Sequence, residues 1–192
     1  MKIGILGMQG DIEEHLAAFQ KLGVDTIRVK SEKSLESVDG LIIPGGESTT
    51  MLRLLKLNGL FDLLKLKISK GFPVYGTCAG MILLADQVSN PEQDSLKVLD
   101  INVSRNGYGR QIDSFQAEVT MPVIGSRPFK AIFIRAPLIT KAGDVEVLAT
   151  YKDHPVFVKK DNIIASTFHP ELSNDTRIHE FFLGMVKDAA RN

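Results

Sequence analysis

The chain's single cysteine lies where one apolar stretch turns into another, in Val74-Tyr75-Gly76-Thr77-Cys78-Ala79-Gly80-Met81-Ile82-Leu83-Leu84. Gly-x-Cys-x-Gly at such a junction is typical of a nucleophile elbow, where a strained residue joins a strand to a helix. The strain is tolerated only if the residues two before and two after lack bulk, and glycine occupies both positions. The free N–H groups of the helix start would favour a thiolate. The pattern predicts a nucleophilic Cys78, the alternative being a buried cysteine that only fills space.

A thiol nucleophile requires a base, and the candidates are His15, His154, His169 and His179. His169 follows the apolar run 163–168, and Pro170 favours an extended conformation at this strand end. Glu171 can reach back to the same imidazole, fix its tautomer and stabilise the imidazolium. The other histidines lack this setting: one precedes a proline without an acid nearby, and two fall in helical patterns typical of surface or packing residues. The sequence therefore predicts a triad of Cys78, His169 and Glu171.

A second loop, Pro44-Gly45-Gly46-Glu47-Ser48-Thr49-Thr50, follows an apolar strand and precedes a helical pattern. It lacks the lysine of a phosphate-binding loop, and its glutamate would repel a phosphate. An oxyanion hole fits better, with one N–H from Gly46 and one from Ala79 holding the developing negative oxygen. The same residues also predict a helix start capped by Ser48 or Thr49, and both interpretations can hold together.

Elements that position these residues alternate between short apolar strands and helices in the first half. Strands are predicted at Lys2–Leu6, Thr26–Lys30 and Gly40–Ile43, and a helix from Asp11. This alternation indicates a parallel, doubly wound sheet, in which strand ends bring the two loops to one crevice. Stretch 87–95 is polar and turn-like, and the second half is β-rich, with strands predicted at Val98–Val103, Ala117–Met121, Ala131–Arg135, Val145–Thr150, Val156–Lys159 and Ile163–Phe168.

Composition places these motifs in one globular domain covering residues 1–192, because the chain is 44% hydrophobic with 192 residues. The 23 basic residues balance 23 acidic ones, so no nucleic acid or anionic membrane is expected as a partner. A cytoplasmic location is expected, since no apolar run resembles a signal peptide or a membrane span. One cysteine excludes an internal disulfide and a cysteine-based metal site, and we expect neither metal nor cofactor.

Three motifs together, Pro44–Ser48, Gly76–Gly80 and His169–Glu171, resemble those of the class I glutamine amidotransferases. Further segments are similar to the family of glutaminase subunits of pyridoxal 5′-phosphate synthases. These segments are Gly45–Met51, Arg105-Asn106, Gly109-Arg110-Gln111, Asp113-Ser114-Phe115, Phe133–Pro137 and Ser166–Leu172. The resemblance covers nearly the whole chain, and its middle motifs are more specific than the triad alone.

The resemblance implies a three-layer, flavodoxin-like α/β fold and a Cys-His-Glu triad at the residues already singled out. It implies glutamine as the substrate, with binding residues Gly46, Glu47, Ser48, Arg105, Ile134 and Arg135. An arginine suits the α-carboxylate of glutamine because it donates two parallel hydrogen bonds. The implied partner is a separate (β/α)₈-barrel synthase subunit, which uses the released ammonia to build pyridoxal phosphate from a pentose phosphate and a triose phosphate.

Two alternatives stay open on the sequence. A glutaminase serving another biosynthetic pathway would carry the same triad, and the segment Arg105–Gln111 argues against it. A flavodoxin-like binding or redox-sensing module would use Cys78 as an oxidisable thiol instead of a catalyst. Release of ammonia from glutamine separates the second alternative from the proposed chemistry.

Glycines also predict a point of regulation. The peptide between Gly45 and Gly46 can take more than one orientation, so an oxyanion donor could be absent until the partner binds. The loop Gly7-Met8-Gln9-Gly10 ends a neighbouring strand and is the candidate to relay that contact. We therefore expect the chain alone to be a poor glutaminase.

Overall fold

The computed structural model describes residues 1–107 and 114–191. The strands are β1 (Lys2–Leu6), β2 (Asp25–Val29), β3 (Gly40–Ile43), β4 (Val74–Thr77), β5 (Ala85–Ser89), β6 (Leu99–Ser104), β7 (Ser114–Val119), β8 (Phe129–Ile134), β9 (Leu138–Ala142), β10 (Glu146–Tyr151), β11 (His154–Lys160) and β12 (Ile163–Ser166). The helices are α1 (Ile12–Lys21), α2 (Glu32–Glu36), α3 (Ser48–Leu57), α4 (Leu60–Ser69), α5 (Ala79–Leu84) and α6 (Arg177–Ala189). Short 3₁₀ turns lie at Pro122–Ile124 and Pro170–Leu172.

A seven-stranded sheet in the order β10-β11-β12-β4-β3-β1-β2 forms the centre of the molecule. The strands from β12 to β2 pair in parallel, and β10 and β11 add an antiparallel edge. The parallel part, read as β2-β1-β3-β4-β12, follows the flavodoxin-like order. The predicted mostly parallel α/β fold is therefore confirmed. Because the strands run in parallel, the segments that leave the ends of β1, β3, β4 and β12 meet at one edge of the sheet.

Alternating strand residues supply two apolar layers, which explains the continuous hydrophobic runs in the sequence. Ile3, Ile5 and Ile42 pack with α1, α6 and the β7–β8 hairpin on one face. Leu41 and Ile43 pack with α2 to α5 on the opposite face. The sheet is thus covered on both sides, which makes three layers.

The second half adds two smaller sheets to this core. One consists of β5, β6 and β9, and the other is the β7–β8 hairpin. This agrees with the prediction of a β-rich second half. The hairpin matters for the site because β8 leads directly into Ile134 and Arg135 at the sheet edge.

Several predicted bounds differ from the observed ones. The stretch 87–95 was predicted as turn-like, but its first residues belong to β5, where Val88 is buried among apolar neighbours. The first strand of the hairpin lies at Ser114–Val119, before the predicted Ala117–Met121, because the 3₁₀ turn begins at Pro122. The predicted strand Ile163–Phe168 ends at Ser166. The motif residues Gly109, Arg110, Gln111 and Asp113 lie outside the described residues.

Within the described ranges, no helix has both the length and the apolar character needed to cross a bilayer.

Candidate functional site

The sharp corner at Cys78 joins β4 directly to α5. Its backbone has φ 47° and ψ −103°, a conformation that a non-glycine residue adopts only under strain. A Cβ on Gly76 would lie 2.7 Å from the Gly80 carbonyl carbon, and one on Gly80 would lie 1.9 Å from the Ile43 oxygen. The prediction that both flanking positions must lack bulk is therefore confirmed. The corner leaves Cys78 7% exposed, next to the free N–H groups of the first turn of α5.

His169 lies beside the elbow because β12 runs next to β4 in the sheet. Its backbone N–H donates to the Ile132 carbonyl at 2.8 Å, which ties it to β8. The imidazole Nδ1 lies 2.8 Å from Glu171 Oε1, as the spacing His-Pro-Glu predicts, and 3.2 Å from Asp11 Oδ2. With Nδ1 directed at two carboxylates, Nε2 is the ring nitrogen left for Cys78.

The pKa of His169 results from opposing effects. Burial lowers it, but hydrogen bonds with Asp11, Cys78 and Glu171 outweigh burial and raise it to about 12. Burial also raises the pKa of Glu171, against the pull of the hydrogen bond with His169. The resting ring is therefore an imidazolium beside the Glu171 and Asp11 carboxylates, an arrangement that can donate a proton to a leaving group.

The loop at 44–47 is held by the loop that follows β1. The Asp11 N–H donates to the Gly45 carbonyl at 3.1 Å, and the Glu47 N–H donates to Gln9 Oε1 at 2.8 Å. A Cβ on Gly10 would lie only 1.8 Å from the Gly45 oxygen. Since a trans peptide directs its N–H opposite to its carbonyl, the Gly46 N–H points away from the 7–10 loop. Gly46 has φ 148°, which favours glycine.

A cavity of about 300 Å³ collects these residues. Its lining contains every predicted site residue except Glu171, which is buried behind His169. The lining residues are Gln9, Asp11, Gly46, Glu47, Ser48, Cys78, Ala79, Ile82, Arg105, Asn106, Ile134, Arg135 and His169. The structure thus brings the predicted nucleophile, base, oxyanion donors and glutamine-binding residues together.

Two of the predicted binding residues, Glu47 and Arg105, are paired with each other, with Arg105 Nη2 3.0 Å from Glu47 Oε1. Glu47 also caps α3, since its carboxylate accepts from the N–H groups of Thr49 and Thr50 at 3.2 and 2.6 Å. The predicted cap at Ser48 or Thr49 is therefore wrong. Burial raises the pKa of Glu47, but hydrogen bonds from Thr49 and Thr50 outweigh it and lower the pKa to about 2.

The remaining predicted binding residues differ in what they offer. Ser48 is buried and donates its hydroxyl to Gln93 Oε1 at 2.7 Å, so its side chain is already engaged. Ile134 presents its carbonyl 3.9 Å from Cys78 Sγ at the end of β8. Arg135 follows with φ 41°, and no ion pair to it occurs among the described residues. Among the described residues that line the cavity, Arg135 is thus a cation that remains available to a ligand.

The sequence reasoning did not single out Asp11 or His15 as part of the site. Asp11 is the N-cap of α1 and also a second carboxylate on His169. His15, predicted as a surface or packing residue, is fully buried with its Nε2 3.5 Å from Glu171 Oε2. Both reach the site only because α1 packs beside the 3₁₀ turn at 170–172. The sequence signal was the helical spacing of the two residues, which puts them one turn apart on one face of α1.

Asp11, His169 and Glu171 also form a group of possible metal ligands, with ligand atoms within 4.8 Å of one another. A metal bound there would have to displace the proton that Nδ1 shares with the two carboxylates. The observed hydrogen bonds account for the cluster without one.

Comparison with known proteins adds to this geometry. The model of the SNO glutamine amidotransferase family matches residues 5–188. The chain belongs to this family. The predicted enzyme class, a glutamine amidotransferase, is confirmed.

Individual relatives of the family agree over nearly full length. The pyridoxal 5′-phosphate synthase subunit PdxT of Kosmotoga olearia is 60% identical over 95% of this chain and 96% of its own length. The protein of the same name from Thermotoga petrophila is 56% identical, over 97% of this chain and 100% of its own. A crystal structure of a glutamine amidotransferase superposes with TM-score 0.91 at 41% identity, covering 96% of this chain and 98% of that one. The predicted resemblance is thus confirmed.

Proposed function

We propose that this chain hydrolyses L-glutamine to L-glutamate and ammonia, as the glutaminase subunit of a pyridoxal 5′-phosphate synthase. The observation that carries the proposal is one cavity lined by Cys78, His169 and the backbone of Gly46 and Ala79, with Glu171 2.8 Å from the histidine. Acyl transfer needs this combination of nucleophile, oriented proton donor and oxyanion donors. We infer that residues 1–192 act as a single domain.

The reaction would begin when Cys78 Sγ attacks the side-chain carboxamide carbon of glutamine. The N–H groups of Gly46 and Ala79 would hold the oxyanion of the tetrahedral intermediate. The imidazolium of His169 would protonate the departing nitrogen, which leaves as ammonia while the thioester forms. The neutral ring would then remove a proton from a water molecule that attacks the thioester, releasing glutamate and regenerating the sulfur.

The amino-acid end of glutamine would be held away from the sulfur by charges on the opposite wall. Arg135 is free to bind the α-carboxylate, while Glu47, whose pKa is about 2, remains ionised and can face the α-ammonium. Arg105 would then share its contact between Glu47 and the substrate carboxylate. The Ser48 side chain is engaged by Gln93, so its contribution would come from the backbone.

The names of the relatives support a partner, a synthase subunit that receives the ammonia. We propose that this subunit is a (β/α)₈ barrel that forms pyridoxal phosphate from a pentose phosphate and a triose phosphate. Neither sugar nor the finished cofactor would bind in the cavity described here.

Isotope tracing tests the function and the pathway separately. The chain and the candidate synthase are supplied with both sugar phosphates and glutamine labelled with ¹⁵N at the side-chain amide. We expect equal amounts of glutamate and consumed glutamine, and label in the ring nitrogen of pyridoxal phosphate. Glutamine hydrolysis without label in the product would overturn the pathway alone, and no hydrolysis in the complex would overturn the function.

A further inference from the structure

A buried chain of polar side chains continues behind Glu171, on the side away from the cavity. His15 on α1 and His179 on α6 are both fully buried, and His15 Nδ1 lies 3.1 Å from His179 Nε2. The other nitrogen of His15, Nε2, lies 3.3 Å from the Thr77 hydroxyl and 3.5 Å from Glu171 Oε2. Neither histidine lines the cavity, so neither can touch the substrate.

Two buried atoms without a hydrogen-bond partner indicate which nitrogens of His15 and His179 carry protons. Among the described residues, Glu171 Oε2 and His179 Nδ1 are buried without a hydrogen-bond partner. If His15 carried its proton on Nδ1, its Nε2 lone pair would face the carboxylate and His179 would bury an unpaired N–H. If His15 carries it on Nε2, that N–H faces both the Thr77 hydroxyl oxygen at 3.3 Å and Glu171 Oε2 at 3.5 Å, and His179 donates from Nε2 and buries only a bare nitrogen. The second arrangement avoids both a nitrogen lone pair that faces the carboxylate and a buried unpaired donor.

A neutral His15 fits this arrangement. Burial first, then repulsion by His179 and His169, lowers the pKa of His15 well below its ordinary value. Burial likewise lowers the pKa of His179, to about 4. Both rings therefore remain uncharged near neutral pH and act through the direction of their N–H bonds. The charged or titratable groups that face this chain of side chains are His169, Glu171, Asp11, Tyr75 and Lys21.

We propose that His15 is a positioning residue for catalysis, which donates from Nε2 toward Glu171 Oε2 and thereby holds the carboxylate that orients His169. At 3.5 Å the contact is longer than an ordinary hydrogen bond, so it acts mainly as an electrostatic contact. Glu171 then faces an N–H on each side, from His169 at Oε1 and from His15 at Oε2. His179 fixes the tautomer of His15, as partners of metal-bound or catalytic histidines commonly do. The proposal rests on the proposed roles of Cys78, His169 and Glu171.

Substitution of His15 tests this role. His15→Phe keeps a buried ring but removes the donor, and we expect kcat to fall about 10-fold with KM changed less than about twofold, as for other groups that orient a catalytic histidine. His15→Gln can still present an N–H and should recover most of the loss. Ser95→Ala is the control, because it deletes a buried hydrogen bond, to the Ala85 carbonyl, at a position that contacts neither His15 nor Glu171. We expect its kcat to be unchanged.

A second readout does not depend on activity. ¹⁵N spectra of the full chain should show wild-type His15 protonated at Nε2 and bare at Nδ1. In the His15→Phe protein, the His169 ring should titrate at lower pH, because a less stable carboxylate holds the imidazolium less well. The Nδ1–H tautomer in the wild type, or an unchanged His169 titration together with an unchanged kcat, would overturn the proposal. These results would leave the glutaminase assignment standing, whereas an inactive wild-type complex would sink that assignment and leave the tautomer measurement valid.

Discussion

The two ends of the cavity hold their functional groups in different ways. At the chemical end, Cys78 and His169 are at most 7% exposed and follow strands at the centre of the parallel sheet. At the binding end, the Glu47 side chain is 46% exposed and that of Arg105 is 17% exposed. Arg135 belongs to the turn after the β7–β8 hairpin, outside the central sheet.

This difference indicates that the catalytic groups and the substrate-binding groups are supported by separate parts of the fold. Buried groups on rigid strands keep fixed distances, as chemistry requires. Exposed groups that pair with each other before substrate arrives can exchange partners at low cost, since ion pairs near the surface are weak. Damage at the chemical end should therefore reduce the maximal rate, and damage at the binding end should reduce affinity.

The strongest test of this division removes the nucleophile. Cys78→Ala should lower glutamine hydrolysis by about 10⁴-fold or more, because no other group in the cavity can form the thioester. Its melting temperature should stay close to that of the wild type, since alanine fits the corner. Ammonia release measures the rate of hydrolysis, and calorimetry measures the melting temperature. In the wild-type protein, Cys78 should be alkylated by a glutamine-like electrophile at pH 7. Appreciable hydrolysis by the alanine protein would refute the nucleophile.

Removal of the Arg105 cation tests the binding end of the cavity. Arg105→Ala should raise KM by about 10- to 100-fold with a smaller change in kcat, because a charge-assisted contact to the substrate carboxylate is lost. His169→Ala should show the reverse pattern, a kcat lowered by about 10²–10⁴-fold. Steady-state kinetics separate the two effects. Arg127→Ala is the control, because this exposed arginine pairs with Asp175 outside the cavity. Unchanged KM and unchanged kcat/KM in Arg105→Ala would mean that this arginine does not bind glutamine.

A milder substitution tests the contact between the loop at 7–10 and the loop at 44–47. Gln9→Ala removes the acceptor of the Glu47 N–H and should reduce activation by the synthase about 10-fold, while the small basal rate changes less. The comparison is made between rates with and without saturating synthase. Glu14→Gln, on the exposed side of α1, should activate normally. If the synthase does not change the wild-type rate at all, the expected switch at Gly45–Gly46 is wrong.

The smallest expected effect concerns the pH dependence of stability, through the buried His179 behind the chemical end. The folded pKa of His179 is about 4, below the unfolded value, so the unfolded chain binds more protons in the window below about 6.5. Stability is therefore complete above this window and is lost as pH falls toward 4. The slope contributed by this one site is up to about 1.4 kcal/mol per pH unit. His179→Gln should lose less stability than the wild type between pH 7 and 5 in urea unfolding. Equal losses in the two proteins would contradict a buried, neutral His179.

The same division explains what could be read from the sequence. The elbow was predictable because glycines two residues on either side of Cys78 leave a local signature. The pair His169 and Glu171 was predictable because the two side chains that contact each other lie within a segment of three residues. The central sheet was readable from short apolar runs, and β1 and β3 were predicted with the observed bounds.

Features created by packing between distant segments could not be read in this way. Asp11 and His15 reach His169 and Glu171 across more than 150 residues of chain, and only the packing of α1 brings them there. The use of Glu47 as the α3 cap was missed for a local reason, because it depends on the backbone angles at the start of α3. The strand β5 escaped prediction because only Ala85 and Val88 of its residues are buried.

The close approach of Gly10 to the Gly45 oxygen has a consequence for protein engineering. No side chain fits at position 10 while the second loop keeps its course, so a substitution of Gly10 would require residues 44–47 to move. A graft of the second loop from a distant amidotransferase would therefore need the matching first loop. The two segments therefore act as one structural unit.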